Sequence, residues 1–288
     1  VVVPFPAGGI VDNVTRKLGT ELSASLGQSL VVENKGGAGG SIGAAQVARS
    51  KADGYTLLTA FDTHAVNPLL YKLTFDSDKD LKPIALIATS PLVLVVHPSV
   101  PAKSLRELIE LAKAKPDTLN YASTGAGSSN HLTTELFKAT SGASFNHVPY
   151  KGGAPAITDV LGGQVQVMFV SVTSVLAHIR AGKMRALAVT SIERAPMLPN
   201  IPTVAQTLPG YDVTSFSGFA APRATPPERV TKLNREMRAA LNDADIRKRF
   251  IELGGGVLPT TPEEFTRHVM SEIDKWRKIA VAKKIEIQ

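Results

Sequence analysis

The sequence of 288 residues contains no cysteine. Disulfides, thiolate metal sites and cysteine nucleophiles are therefore excluded. No run of about 18 apolar residues occurs, which is the length that a membrane-spanning helix needs. The six histidines, at positions 64, 97, 131, 147, 178 and 268, lack the paired spacing of metal ligands. We therefore expect neither a metal nor a cofactor.

Nucleotide and nucleic-acid signals are also absent. The sequence has no G-x-x-x-x-G-K-[ST] motif and no strand-adjacent G-x-G-x-x-G followed by a ribose-binding acid. The net charge of +7 is moderate, and the densest basic clusters, Arg247-Lys248-Arg249 and Lys283-Lys284, are interleaved with acidic residues. Such clusters are typical of a solvated helix face rather than of a nucleic-acid surface.

Short apolar runs alternate with amphipathic segments along the whole chain. In Val11–Leu26 apolar residues recur every three or four positions, which predicts a helix. The continuous β-branched run Leu92–Val96 predicts a buried parallel strand. This alternation is typical of an α/β fold with a mixed, mostly parallel sheet flanked by helices. The predicted strands are 1–5, 30–33, 55–60, 92–96, 119–122, 145–148, 184–189 and 216–220, and the predicted helices are 11–26, 44–49, 105–115, 130–140, 227–241, 245–253 and 261–283.

Two of the predicted helices begin with a capping box. Ser104 precedes Leu105–Lys115, with Glu107 three residues later, and Thr261 is followed by Pro262 and Glu264. A Ser or Thr side chain at such a position accepts a hydrogen bond from the first turn, while the Glu reaches back to the cap.

One supersecondary pattern occurs twice. Each copy runs strand, glycine loop, helix, strand, and ends in Lys-Gly-Gly-Ala, at Lys35–Ala38 and again at Lys151–Ala154. In a chain with 23 glycines the match can arise by chance, whereas a true duplication predicts two similar lobes. If Leu92–Pro98 and Ser215–Pro222 are the crossings, the first lobe is residues 1–97 plus 218–288 and the second is 98–217, with a hinge between them.

Each glycine loop ends at the start of a helix. The first loop is Phe5–Gly9 and the second is Ser123–Ser129, and neither contains Lys or Arg. Free backbone N–H groups and the helix dipole make such a position an anion receptor, and hydroxyl groups can donate further hydrogen bonds. One helix terminus contributes only about 0.3–1 kcal/mol at the surface. Micromolar binding, about 8 kcal/mol, would therefore need both loops; glycines that merely permit tight turns are the alternative.

An esterase is the alternative function. Gly39-Gly40-Ser41-Ile42-Gly43 matches the G-x-S-x-G nucleophile elbow, and Asp243 and His268 follow in the required chain order. However, an elbow places its serine at the very end of a strand, and Ser41 lies several residues beyond the predicted one. The HGGG oxyanion motif is also absent. We therefore favour a binding protein that catalyses no reaction over an enzyme.

A set of ordered motifs resembles the Bug/TctC solute receptors of tripartite tricarboxylate transporters over nearly the whole chain. The motifs are Val2-Val3-Pro4-Phe5-Pro6-Ala7-Gly8-Gly9 with Asp12, Val32-Glu33-Asn34-Lys35-Gly36-Gly37-Ala38-Gly39-Gly40, Ala52-Asp53-Gly54-Tyr55, Asn67-Pro68-Leu69-Leu70-Tyr71, Val148-Pro149-Tyr150-Lys151-Gly152-Gly153, Leu187-Ala188-Val189-Thr190-Ser191 and Pro202-Thr203-Val204. So many motifs in order are far more specific than any single glycine pattern.

The resemblance implies a two-lobed periplasmic binding protein of the type II kind, whose lobes close around a ligand. It also implies export with a signal peptide that is later removed, membrane components of the transporter as partners, and a monomer. The loop of each lobe would grip a ligand carboxylate. The implied ligand-binding residues are Phe5, Pro6, Ala7, Gly8, Gly9, Asp12, Phe61, Thr63, Ser123, Thr124, Gly125, Gly127, Ser128, His131, Pro149, Tyr150, Val170 and Ser171.

One departure from the family pattern bears on the ligand. Relatives usually carry Met-Phe-Asp where this chain has Met168-Phe169-Val170, so an acidic partner for an ammonium group is missing. The hydroxyl groups of Ser171 and Thr173 follow instead. We therefore expect a dicarboxylate or an aromatic carboxylate rather than an amino acid. Asp62, in the loop Phe61–His64, would disfavour a second carboxylate nearby unless it points away.

Overall fold

The computed structural model describes residues 1–5, 7, 10–252 and 256–283. The strands are β1 (Val2–Val3), β2 (Glu33–Asn34), β3 (Leu58–Phe61), β4 (Leu81–Val96), β5 (Asn120–Ser123), β6 (Asn146–Pro149), β7 (Val167–Ser171), β8 (Arg185–Val189), β9 (Thr214–Pro222) and β10 (Gly256–Val257). The helices are α1 (Ile10–Leu26), α2 (Ser41–Ala48), α3 (Thr63–Leu70), α4 (Leu105–Ala114), α5 (Ser129–Ser141), α6 (Gly153–Leu161), α7 (Val172–Arg180), α8 (Pro227–Asn242), α9 (Ala244–Glu252) and α10 (Pro262–Lys283).

The chain divides into two compact units. Unit 1 comprises Val1–Thr89 and the described residues from Phe216 onward, and unit 2 comprises Ser90–Ser215. Both changes of unit fall inside a strand, β4 in one case and β9 in the other. The lobe limits expected from the sequence, 97 and 217, stay a prediction, because compactness does not measure which segments move as one body.

Unit 1 is a sheet with helices on both faces. The strand order is β2-β1-β3-β9-β4, with β10 paired to β4. β1 is parallel to β2 and β3, whereas β9 runs antiparallel to β3. The adjacent residues Leu86 and Ile87 of β4 face different cores: Ile87 packs with Leu18 of α1 and Met237 of α8, and Leu86 packs with Phe265 of α10.

Unit 2 repeats this arrangement. The strand order is β6-β5-β7-β4, with β8 also paired to β4. β5 is parallel to β6 and β7, and β4 is antiparallel to β7 and β8. Val93, Val95 and Met168 pack with α6 and α7 in one core. Phe137 contacts Phe169 edge to face, with ring centroids 5.5 Å apart.

The duplicated pattern is confirmed and is longer than the sequence indicated. Unit 1 runs β1-α1-β2-α2-β3-α3, and unit 2 runs β5-α5-β6-α6-β7-α7. In each unit the first strand lies between the other two, and the third strand meets an antiparallel neighbour. A shared order and direction of three strands and three helices is far more than a chance match of glycines.

The prediction of a parallel strand at Leu92–Val96 is wrong. These residues are the end of the longer strand β4, which is antiparallel to both of its neighbours in unit 2. A continuous apolar run indicates that both faces of a strand are buried. An interior antiparallel strand that is covered by helices is buried on both faces too, so the run does not show the direction of the strand. The predicted elements also lack α3, α6, α7 and β7. Helices α3 and α6 are short, and each contains a proline, Pro68 in α3 and Pro155 in α6.

Both predicted caps form. Ser104 Oγ accepts from the Glu107 N–H at 3.2 Å. Thr261 makes a full capping box, in which its Oγ1 accepts from the Glu264 N–H at 3.2 Å and its own N–H donates to Glu264 Oε2 at 2.8 Å.

Candidate functional site

In unit 2 the carboxyl ends of three parallel strands lie along one edge of the sheet. Ser123 of β5 is paired with Pro149 of β6, and Ala122 is paired with Met168 of β7. The segments that follow, from which α5, α6 and α7 begin, therefore emerge at the same edge. The crevice outside the carboxyl ends of parallel strands is where open α/β sheets bind ligands. Most of the predicted site residues of unit 2 lie at this edge.

The second glycine loop has a backbone shape that requires its glycines. Gly125 has φ +133° and Gly127 has φ +75°, which are conformations that L side chains rarely adopt. The hydroxyl of Ser128 donates to the Gly125 carbonyl at 2.6 Å, and the Ser123 hydroxyl accepts from the Gly125 N–H at 3.2 Å. Serine side chains thus fix the loop from both ends.

Helix α5 begins in this loop with unused donors. Ser128 is its N-cap, and its Oγ accepts from the His131 N–H at 3.4 Å. The N–H groups of Ser129 and Asn130 make no hydrogen bond within the described part of the chain. They are the donors that a helix terminus offers to an anion.

A buried asparagine ties the loop to β7. Asn130 Oδ1 accepts from the Thr124 hydroxyl at 2.8 Å, and Asn130 Nδ2 donates to the Phe169 carbonyl at 2.7 Å. Thr124 therefore lies at the site, but its hydroxyl proton is used within the protein. Asn130 supports the loop without being one of the predicted site residues.

His131 also supports the loop. Its Nδ1 accepts from the Gly127 N–H at 3.1 Å, and its ring stacks on His147 with centroids 4.2 Å apart. His147 in turn stacks on Tyr121 at 4.7 Å, and its Nε2 lies 2.7 Å from Ser123 Oγ. Burial lowers the pKa of both histidines, and for His147 burial together with the nearby His131 lowers the pKa to about 4.

Pro149 ends β6 at the same edge, and Tyr150 follows it. The Tyr150 N–H donates to the Ser123 carbonyl at 3.0 Å, and the Tyr150 hydroxyl donates to Asp159 Oδ2 at 2.7 Å. Burial and this hydrogen bond to a carboxylate raise the pKa of Tyr150 to about 12. The phenol is therefore neutral and held against α6.

The two predicted residues at the end of β7, Val170 and Ser171, have different surroundings. Val170 is buried, pairs with Val93 of β4 and packs in the apolar core of unit 2. Ser171 is half-buried and is the N-cap of α7, and its hydroxyl lies 2.9 Å from the Thr173 hydroxyl. Ser171 can therefore offer a polar contact at the edge, whereas the Val170 side chain belongs to the core.

In unit 1 a buried acid lies between α1 and the end of β2. Asp12, 2% exposed, accepts from Arg16 Nε at 3.0 Å and from Asn34 Nδ2 at 3.0 Å. Asn34 Nδ2 also lies 3.0 Å from the Phe5 carbonyl and donates to it, which ties the first glycine loop to the end of β2. The carboxylate of Asp12 is thus engaged inside unit 1.

The other predicted residues of unit 1 lie after β1 and β3. Phe5 contacts Phe61 edge to face, with ring centroids 5.5 Å apart. Thr63 is the first residue of α3, next to the buried Asp62. Ala7 is exposed. Three predicted residues, Pro6, Gly8 and Gly9, lie outside the described residues.

The three residues of the esterase alternative, Ser41, Asp243 and His268, each have different neighbours. Ser41 begins α2, seven residues after the end of β2 at Asn34, and lines a cavity of about 330 Å³ with Gln46, Arg49 and Lys72 among its neighbours. Asp243 Oδ1 accepts hydrogen bonds from N–H groups in the first turn of α9, and its distance to the Asp245 nitrogen is 2.9 Å. His268 contacts the ring of Phe216. No carboxylate or imidazole lines the Ser41 cavity in the described part of the chain.

Within residues 1–5, 7, 10–252 and 256–283, no helix combines the length and the apolar character of a membrane span. No group of three or more His, Asp or Glu side chains in the same ranges is arranged to hold a metal ion.

Three residues that shape these loops were not among the predicted site residues, namely Asn34, Asn130 and His147. Asn34 and Asn130 carried a weak signal, since each stands next to a glycine motif. His147 carried none, because its place beside His131 depends on the pairing of Tyr121 with His147 across β5 and β6.

Known proteins share this fold and much of this sequence. A family model described as tripartite tricarboxylate transporter family receptor matches residues 14–285. The structure of R. palustris Rpa4515 with adipate is 37% identical, with a TM-score of 0.91, over 100% of this chain and 97% of the other. The periplasmic binding protein BugD is 36% identical, with a TM-score of 0.87, over 100% and 97%. MatC (Rpa3494) from Rhodopseudomonas palustris with bound malate is 35% identical, with a TM-score of 0.85, over 96% and 97%.

These matches confirm the resemblance seen in the sequence. They cover nearly the whole chain and agree with the α/β fold of the two units. The chain therefore belongs to the Bug/TctC family, the periplasmic solute-binding receptors of tripartite tricarboxylate transporters.

Proposed function

We propose that this receptor captures a small carboxylate between its two lobes and delivers it to the membrane components of a tripartite tricarboxylate transporter. It acts as a monomer in the periplasm after removal of a signal peptide, and it catalyses no reaction. The ligand is a dicarboxylate or an aromatic carboxylate rather than an amino acid.

The second glycine loop carries this proposal. It presents the unused N–H groups of Ser129 and Asn130 at the start of a 13-residue helix, and it contains no Lys or Arg. Neutral donors of this kind suit a carboxylate, because they stabilise its negative charge without a permanent ion pair that would hinder release. The first glycine loop supplies the second set of contacts in this proposal.

The relatives support the ligand class. Rpa4515 holds adipate and MatC holds malate, and neither ligand carries an ammonium group. In this chain the position that usually carries an acid in relatives is Val170, whose side chain is buried in the core of unit 2. An amino acid would bring its ammonium group to a site where Ser171 and Thr173 offer only hydroxyl groups.

The proposed contacts fall into two sets. In unit 2, the loop residues Ser123, Thr124, Gly125, Gly127 and Ser128 with Pro149, Tyr150 and Ser171 form the edge that faces the ligand, and His131 holds the loop. In unit 1, the first glycine loop with Phe5 and Phe61 provides an apolar wall, and Thr63 provides a hydroxyl. Asp12 acts indirectly, because its carboxylate is bound to Arg16 and Asn34.

A thermal-shift screen tests the proposal. The protein is first unfolded and refolded to remove any ligand that it carries from expression. It is then screened against adipate, malate, succinate, citrate, benzoate, terephthalate, aspartate and glutamate, with neutral sugars as controls. A ligand at about 100 times its dissociation constant stabilises the folded protein by about 2.7 kcal/mol, a shift of several degrees at this size.

We expect a shift with one class of carboxylate and none with sugars. A larger shift with aspartate or glutamate than with any carboxylate that lacks an ammonium group would contradict the proposed ligand class. No shift with any carboxylate would contradict the proposed function and leave the family assignment unchanged.

A further inference from the structure

Two stacked imidazoles lie directly behind the second glycine loop. The rings of His131 and His147 are nearly parallel, at 14°, with centroids 4.2 Å apart. Tyr121 stacks on His147 at 4.7 Å and 15°, and its ring centroid lies 6.4 Å from that of His131. The three rings come from α5, β6 and β5, so the stack joins the helix that begins at the loop to the strands beneath it.

His131 holds the loop through a nitrogen that must be unprotonated. Its Nδ1 accepts from the Gly127 N–H at 3.1 Å, and a ring nitrogen can accept only when it carries no proton. The neutral tautomer with its proton on Nε2 meets this condition. A second proton would go to Nδ1 and would set two N–H donors against each other at the position where Gly127 has φ +75°.

Charged and titratable groups face the two imidazoles from α5, β5 and β6. On α5 they are Glu135 and Lys138, whose charges lie 2.8 Å apart. On β5, the Tyr121 hydroxyl donates to Glu135 Oε1 at 2.9 Å. On β6, His147 is the remaining group. Burial lowers the pKa of His131, Glu135 raises it in part, and Lys138 lowers it.

A proton has different consequences on the two histidines. The charge of His131 is one of the causes that lower the pKa of His147 to about 4, after burial. His147 can also keep its contact with Ser123 Oγ at 2.7 Å in either protonation state, because the hydroxyl can accept as well as donate. A proton on His131 therefore breaks the contact with Gly127, whereas a proton on His147 leaves the contact with Ser123 in place.

We infer that His131 is a positioning residue that makes anion capture by the second glycine loop dependent on pH, with release as His131 takes up a proton. The inference rests on the proposed function, since it concerns regulation of the same site. At neutral pH, His131 is neutral and the loop is held. As the pH falls through the pKa of His131, which lies below 6.5, the contact with Gly127 is lost and the anion is bound more weakly.

Two variants separate positioning from simple structural damage. His131→Asn keeps an acceptor, the amide Oδ1, at the place of Nδ1 and cannot take up a proton in this range. His131→Ala removes the acceptor. Binding of adipate to wild type and to both variants is measured by calorimetry from neutral pH to about pH 4.5, and the Gly127 amide and the His147 ring are followed by NMR in the ligand-free proteins.

We expect the affinity of the wild type for adipate to fall over this range about tenfold more than that of His131→Asn. Adipate itself becomes protonated in the same range, but equally for every protein, so the difference between the two profiles reports the side chain. His131→Ala should bind more weakly than His131→Asn at each pH. In the ligand-free wild type, protection of the Gly127 amide should be lost with the titration of His131. In His131→Asn that protection should persist, and the pKa of His147 should rise.

Parallel pH profiles for wild type and His131→Asn, or a Gly127 amide that does not respond to pH in the wild type, would overturn the inference. Its failure is distinguishable from failure of the proposed function. If the wild type binds neither adipate nor any other carboxylate at neutral pH, the proposed function fails, while the Gly127 amide still shows whether His131 controls the loop.

Discussion

Asn130 Nδ2 donates to the carbonyl of Phe169 at 2.7 Å, so the helix that begins at the second glycine loop is bonded to the next parallel strand. The other end of the same amide accepts from the Thr124 hydroxyl at 2.8 Å. One buried side chain therefore connects the loop, α5 and the end of β7 at the proposed ligand edge in unit 2.

Replacing Asn130 by alanine should lower the free energy of unfolding by about 1–3 kcal/mol. The Phe169 carbonyl and the Thr124 hydroxyl would lose their partner in a buried place. Asn146→Ala is a matched control, because Asn146 Nδ2 also donates to a backbone carbonyl, that of Asp117, but from an exposed position where water can replace it. Urea unfolding measures both. Equal losses in the two variants would contradict the role given to Asn130.

The positive φ of Gly125 should make it irreplaceable by alanine. A Cβ at Gly125 would meet only the Tyr150 carbonyl, at 3.6 Å, so there is room for it, and the cost is in the backbone. Gly125→Ala should lower stability by about 1–3 kcal/mol and weaken carboxylate binding. Gly153→Ala is the control, because Gly153 lies in α6 and a Cβ there has its nearest neighbour at 3.9 Å. The account is wrong at this point if both variants bind like wild type.

Buried His64 should make the protein less stable in acid. Burial lowers its pKa from 6.5 to about 4, so the unfolded chain takes up the proton first. The stability present above pH 6.5 is then lost as the pH falls toward 4, at up to about 1.4 kcal/mol per pH unit. His64→Gln should show a shallower dependence in urea unfolding at several pH values. Profiles that run parallel would show that His64 does not contribute.

The capping box of α10 should contribute measurably to stability. Thr261→Ala removes the hydroxyl that accepts from the Glu264 N–H, and we expect a loss of about 1 kcal/mol. Thr266→Ala, whose hydroxyl donates to the Pro262 carbonyl within the helix, should change stability by less than about 0.5 kcal/mol. Thermal unfolding of both variants checks this. A Thr266 variant as unstable as the Thr261 variant would contradict the prediction.

Local signals predicted the elements well where the pattern was strong. In α1 the apolar positions Val14, Leu18 and Leu22 are all buried, as the helical spacing requires. The capping residues and the repeated glycine loops were also readable, because each acts within a few residues. The direction of β4 could not be predicted, because an apolar run does not distinguish parallel from antiparallel neighbours.

The site was predictable only in part. The second glycine loop could be found because glycine and serine at a strand-to-helix junction indicate an anion receptor. Which side chains support it could not, because Asn130 reaches Phe169 across 39 residues and His131 reaches His147 across 16. Such contacts follow from the register of β5, β6 and β7, which no local pattern contains. The same register packs the Val170 side chain in the core of unit 2, and its predicted place at the ligand stays a prediction.

The most direct test of the central claim, that the chain captures a carboxylate by its charge, compares two ligands of the same shape. Calorimetry of the ligand-free protein is carried out with adipate and with adipamide, in which neutral amides replace both carboxylates. We predict that adipate binds with a dissociation constant in the micromolar range or below and that adipamide binds at least about a hundredfold more weakly. Equal affinity for the two compounds would contradict the account, because backbone N–H groups at a helix terminus would then not be what holds the ligand.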